Sequence, residues 1–67
     1  MNGSGVWLLR LPEVVRRTGK GRSAIYRAIA DGSFPTPVAI GDRARAWRSD
    51  EIEAWIANRL KPRERAA

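Results

Sequence analysis

The chain has 67 residues, thirteen Lys and Arg against seven Asp and Glu for a net charge of +6, and neither cysteine nor histidine. That length holds one small domain with a marginal core, and the two missing residue types exclude disulfides, thiolate or imidazole metal sites and histidine-dependent nucleophilic triads. The charge is regional: residues 1–48 carry nine basic and three acidic side chains, residues 49–67 four of each, and a one-sided positive field suits a nucleic acid first, an acidic protein or anionic lipid second.

The opening "MNGSGVWLLR" lacks the basic segment and long apolar run of a signal peptide. No window approaches the roughly 18 apolar residues of a membrane-spanning helix, and nothing calls for an oxidising compartment, so the expected setting is the cytoplasm, away from any membrane. Residues 1–6 read as a flexible glycine- and serine-bearing leader and residues 62–67, "PRERAA", as a tail. A single domain over 7–61 lies between them.

A first helix is expected from about Pro12 to Thr18, opened by proline and closed by Gly19. Leu11, Val14, Val15 and Thr18 form its apolar side and Glu13, Arg16 and Arg17 its polar side. At about two turns it persists only by packing.

Gly19-Lys20-Gly21 leads into a second helix from about Arg22 to Asp31, ended by Gly32. At 3.6 residues per turn, Ile25, Ala28 and Ile29 make the buried stripe, and Ser23, Tyr26, Arg27 and Ala30 the opposite arc. Gly21 is at the cap position, which glycine fills less well than serine. Two short amphipathic helices around a tight glycine turn describe a helix-turn-helix.

The prolines of "SFPTPVAIGDRARAWRS" forbid helix. Val38 and Ile40 alternate as a strand does, Gly41-Asp42 supplies a turn, and Ala44 to Trp47 return as a second strand, giving a small hairpin. Trp47 is expected over the core, because an indole stabilises by about 2–3 kcal/mol when buried. Ser49 is expected to cap a third helix from about Asp50 to Leu60, with Asp50 and Glu51 at its positive end and Arg59 near its negative end. Ile52, Trp55, Ile56 and Leu60 supply its apolar stripe, which reads as core packing rather than as a partner groove.

"GKGRS" invites a phosphate loop, but that motif needs G-x-x-x-x-G-K-[ST]; Gly21 follows Lys20, Val14 lies five before Gly19, and a helical pattern precedes. A turn requiring conformational freedom is the better account. Asp50, Glu51 and Glu53 stand on the first turn of a helix, where acids stabilise the macrodipole without acid-base work, and no oxygen-ligand spacing suits a metal. No cofactor or catalytic residue emerges.

The second helix carries the sharpest signal. Ser23, Tyr26 and Arg27 can reach base edges or phosphates, and an arginine that grips guanine O6 and N7 contributes about 1–3 kcal/mol of discrimination. Arg43 and Arg45 flank the hairpin tip, where a wing touches the phosphate backbone or a minor groove; either can instead pair with acids of the third helix. Lys20, in the turn, adds a backbone contact.

The stretch "LLRLPEVVRRTGKGRSAIYRAIADGSFPTPVAIGDRARAWRSDEIEAWIANRL" resembles the AlpA-type prophage regulatory proteins, relatives of the MerR-like and excisionase-type winged helix-turn-helix domains. Its most specific parts are "LPEVVRRTG", "RSAIYRAI", "GSFPTPVAIG" and "AWRSDEIEAWI". The resemblance implies a mainly α fold with a small β-hairpin wing, the second helix in the major groove of double-stranded DNA, and regulation of transcription for a prophage or mobile element. It places Arg22, Ser23, Tyr26 and Arg27 on the recognition helix and Arg43 on the wing. Integrase and RNA polymerase are the candidate protein partners. The long dimerising helix of MerR proteins is absent, so a monomer in solution, assembling in several copies on DNA, is expected. An excisionase that binds and bends DNA, and an interaction module for an acidic partner, are the alternatives.

Overall fold

The computed structural model describes residues 5–60. The expected tail, and the leader up to Ser4, lie outside those residues. In chain order the elements are β1 (Leu8–Leu9), α1 (Leu11–Thr18), α2 (Arg22–Ala30), β2 (Val38–Ala39), β3 (Arg45–Arg48) and α3 (Ser49–Arg59). The fold is mainly helical with a small antiparallel wing, as the sequence implies.

The wing is larger than a hairpin. β1 joins β3 on the side opposite β2, giving a three-stranded antiparallel sheet of order β1-β3-β2. Leu8 pairs with Arg48 and Leu9 with Trp47, while Val38 pairs with Ala46 and Ala39 with Arg45. A two-residue strand has no periodicity to read, so β1 is defined only by its distant partner. The return strand is also shifted one residue from the expected 44–47.

α1 starts one residue before the expected Pro12, which still lies in the first turn, where an absent N–H costs no intrahelical bond. Gly19 ends it at φ 77°, its N–H bonded to the Val15 carbonyl at 2.9 Å. Thr18 Oγ1 donates to the Val14 carbonyl at 2.7 Å and accepts the Lys20 N–H at 3.2 Å, so side chain and backbone together hold the turn. No atom lies within 4 Å of where a Cβ at Gly19 would stand, so the only penalty of adding one is the left-handed backbone. Gly19→Ala is therefore expected to destabilise by about 1 kcal/mol in urea unfolding without altering the fold. An unchanged midpoint would show that the turn relaxes freely.

α2 then buries Ile25 and Ala28, with Ile29 packed partly against the core. After it, Gly32 at φ 84° turns the chain, and Asp31 Oδ1 accepts bonds from the Ser33 N–H and hydroxyl. Leu9, Val14, Ile25, Ala28, Phe34, Trp47 and Ile52 form the core, with Trp55 and Ile56 partly buried against it. Trp47 is 1% exposed and its Nε1 donates to the Pro35 carbonyl at 2.9 Å. Trp55 meets Phe34 edge to face at 5.1 Å and donates to the Ser33 carbonyl.

Two expectations for α3 are corrected. Ser49 is inside the helix rather than its cap, and no side chain caps it; Arg48 occupies the cap position. The Ser49 hydroxyl accepts the Trp7 N–H at 2.9 Å, and the Ser49 N–H donates to the Trp7 carbonyl at 2.7 Å, so this buried serine fastens the chain ahead of β1 to the start of α3. Leu60 is 77% exposed, because the helix closes at Arg59 and the buried stripe stops at Ile56.

Candidate nucleic-acid interface

α2 sits between the glycine turn and the sheet with its apolar side fixed by Ile25, fully buried. The opposite arc consists of Arg22, Ser23, Tyr26, Arg27 and Ala30, all exposed, and covers about 140° of the helix circumference. No acid stands in its first turn, so the amino-terminal amides add to the positive field of Arg22. Tyr26 is 42% exposed, and its ring is braced 6.4 Å from that of Trp47 at a tilt of 59°.

Two acidic side chains elsewhere are already paired with arginine. Glu13 pairs with Arg16 at 3.2 Å and Arg17 at 3.0 Å; Asp50 takes two hydrogen bonds from Arg48, at 3.0 and 2.8 Å. Hydrogen bonding to Arg48, and secondarily its charge, hold the Asp50 carboxyl below the usual carboxylate range, while the Arg48 guanidinium is raised chiefly by the same bond. Because the folded state depresses Asp50, the pair's small contribution is present at neutral pH and is lost as pH falls through that lowered value. By contrast Arg22, Arg27, Arg43 and Arg45 form no ion pair with any described residue, so the alternative of wing arginines bonded to α3 acids is not realised.

The wing meets α2 at a cleft of about 380 Å³ lined by Arg10, the first turn of α1, Tyr26, Arg43, Arg45 and Trp47. Alternation puts Arg45 on the Trp47 side of β3, which brings it toward Tyr26. Arg43 lies in the bend of 41–43, closed by the Ile40 N–H bonded to the Ala44 carbonyl at 2.9 Å. Sequence reading missed Arg10: a lone arginine before a helix carries no spacing signal, and only the pairing of β1 with β3 places it beside the wing. Lys20 does not line this cleft. Its ammonium lies 5.9 Å above the Trp55 ring, which Arg59 also covers at 4.6 Å.

A larger hollow of about 600 Å³, lined by Pro35, Thr36, Glu51, Ala54, Trp55 and Asn58, holds a carboxylate and no cation, and so does not suit a polyanion. Among the described residues no group of three or more acidic side chains is placed to hold a metal ion, and no helix is long and apolar enough to cross a membrane.

Two short helices joined by a glycine turn, a basic exposed second helix and an adjoining antiparallel sheet define a winged helix-turn-helix protein. The model of the family described as prophage CP4-57 regulatory protein (AlpA) matches residues 7–60, and the chain belongs to that family. It is 44% identical over 57 residues to the "Uncharacterized protein ORF88" of Enterobacteria phage P4, an alignment covering 85% of this chain and 65% of the phage protein. The chain thus spans just under two thirds of that relative's length. It is 35% identical over 66 residues to the "DNA-binding transcriptional activator AlpA" of Escherichia coli strain K12, covering 90% of this chain and 94% of that one. No solved structure matches the chain.

Proposed function

We propose that this chain is a sequence-specific, non-enzymatic DNA-binding regulator of transcription for a prophage or mobile element. The observation that carries the reading is the α2 face: Arg22 and Arg27 are exposed on it without an ion-pair partner among the described residues, and Tyr26 of the same face lines a cleft with the equally unpaired wing arginines Arg43 and Arg45. The E. coli relative, described as a DNA-binding transcriptional activator, supports the same assignment.

In this reading α2 enters the major groove, with Arg22, Ser23, Tyr26 and Arg27 reading or orienting on it, while Lys20, Arg43 and Arg45 grip phosphates. The domain spans residues 7–61 and works in the cytoplasm as a monomer that assembles in several copies on DNA. Integrase and RNA polymerase are the candidate protein partners.

Salt dependence is the test. If about four to six phosphates are neutralised, log affinity falls against log salt with a slope near −4 to −5. Titration on a duplex selected from a random pool measures it; a slope near zero removes the electrostatic basis of the reading.

A further inference from the structure

We infer that the cleft between the first turn of α1, the wing and α2 seats one phosphodiester of the DNA backbone, that Arg10 is a DNA-contacting residue there, and that Tyr26 addresses this phosphate rather than a base edge. The inference rests on the proposed DNA-binding function and adds a site and a residue to it.

Two segments remote in sequence, the start of α1 and the wing, deliver Arg10 and the pair Arg43 and Arg45 to one cleft of about 380 Å³, and no carboxylate lines it. Three guanidinium groups gathered without a counter-charge repel one another unless an anion shares the space. The nearest acid in sequence to Arg10 on α1, Glu13, is held by Arg16 and Arg17. Arg10 also occupies the cap position of α1 and forms no ion pair with a described residue, and the positive end of the helix adds to the same field.

Charge points to a phosphodiester, the anion that recurs along a duplex. The lining includes buried Trp47 and the Tyr26 ring beside it, which tie the cleft to the core. A phosphate held there is gripped at once from α1, from the wing and from α2. Such a contact carries no sequence information, but it fixes the angle and register at which α2 enters the groove.

The test uses the full chain and two duplexes, the selected site and a scrambled one. Arg10→Ala is expected to weaken binding to both by roughly fivefold at ~0.15 M salt, and to reduce the salt slope by about 0.9, the release of one phosphate's counterion. Arg10→Lys, which keeps the charge, is expected to restore the slope, and it guards against a folding defect in the alanine variant. Tyr26→Phe is expected to weaken both duplexes equally with the slope unchanged.

Neutralising single phosphates with methylphosphonate locates the contact. One position is expected to cost the wild-type chain clearly more affinity than it costs Arg10→Ala. An unchanged slope in Arg10→Ala beside a wild-type slope of −4 to −5 overturns the cleft and leaves the DNA-binding reading standing. So does a methylphosphonate profile identical in the two proteins. A Tyr26→Phe variant that loses discrimination between the duplexes overturns the assignment of Tyr26. A wild-type slope near zero overturns both readings.

Discussion

Trp47→Ala is expected to remove about a third or more of the protein's stability. Trp47 is 1% exposed, pairs through its backbone with Leu9 of β1, lies against Tyr26 of α2 and bonds the Pro35 carbonyl of the loop between α2 and β2. Its removal opens a cavity in a core cluster of seven buried side chains among the described residues. Deleting a buried tryptophan costs about 3–5 kcal/mol, while a chain this short commands roughly 3–10 kcal/mol in total. The loss therefore consumes between about a third and all of the stability. Trp47→Phe separates packing from hydrogen bonding: it keeps most of the ring contact but leaves the Pro35 carbonyl without its donor, at about 1–3 kcal/mol. Urea unfolding followed by far-UV circular dichroism measures both. An alanine variant melting within a few degrees of the wild type would mean that the sheet and α2 do not depend on this ring.

What the sequence made legible is what short-range physics dictates. α2 could be read because Ile25, Ala28 and Ile29 recur at helical spacing and two glycines bracket the segment; its exposed arc follows automatically. Trp47 could be placed inside because an indole at the end of an alternating run has few other uses in so small a domain. What remained hidden depends on contacts between remote residues. Ser49 has the sequence position of a cap, yet its hydroxyl is taken by the Trp7 N–H, 42 positions away. The same long-range pairing creates β1 and carries Arg10 to the wing, so the cleft exists only in three dimensions. Lys20 shows the converse: it is placed in the turn by sequence, but its ammonium rests over Trp55 of α3, away from the cleft arginines.

The recognition face itself is probed most sharply at Arg27. This residue is exposed, makes no ion pair with a described residue, and lies in the last turn of α2, where its charge favours the helix by only about 0.3–1 kcal/mol. Arg27→Ala is thus expected to fold normally while losing sequence discrimination. A bidentate arginine–guanine contact is worth about 1–3 kcal/mol, so the ratio of affinities for selected and scrambled duplexes should fall by about 5- to 150-fold, with most of the loss on the selected site. Arg27→Lys sharpens the result, since lysine preserves the charge but not the planar fork; it should recover the salt slope and leave discrimination impaired. Equal weakening on both duplexes would make Arg27 a phosphate contact and shift base reading to Arg22 and Ser23. Unchanged affinity on every duplex, with binding to an acidic protein retained, would instead make this basic surface a protein-docking face.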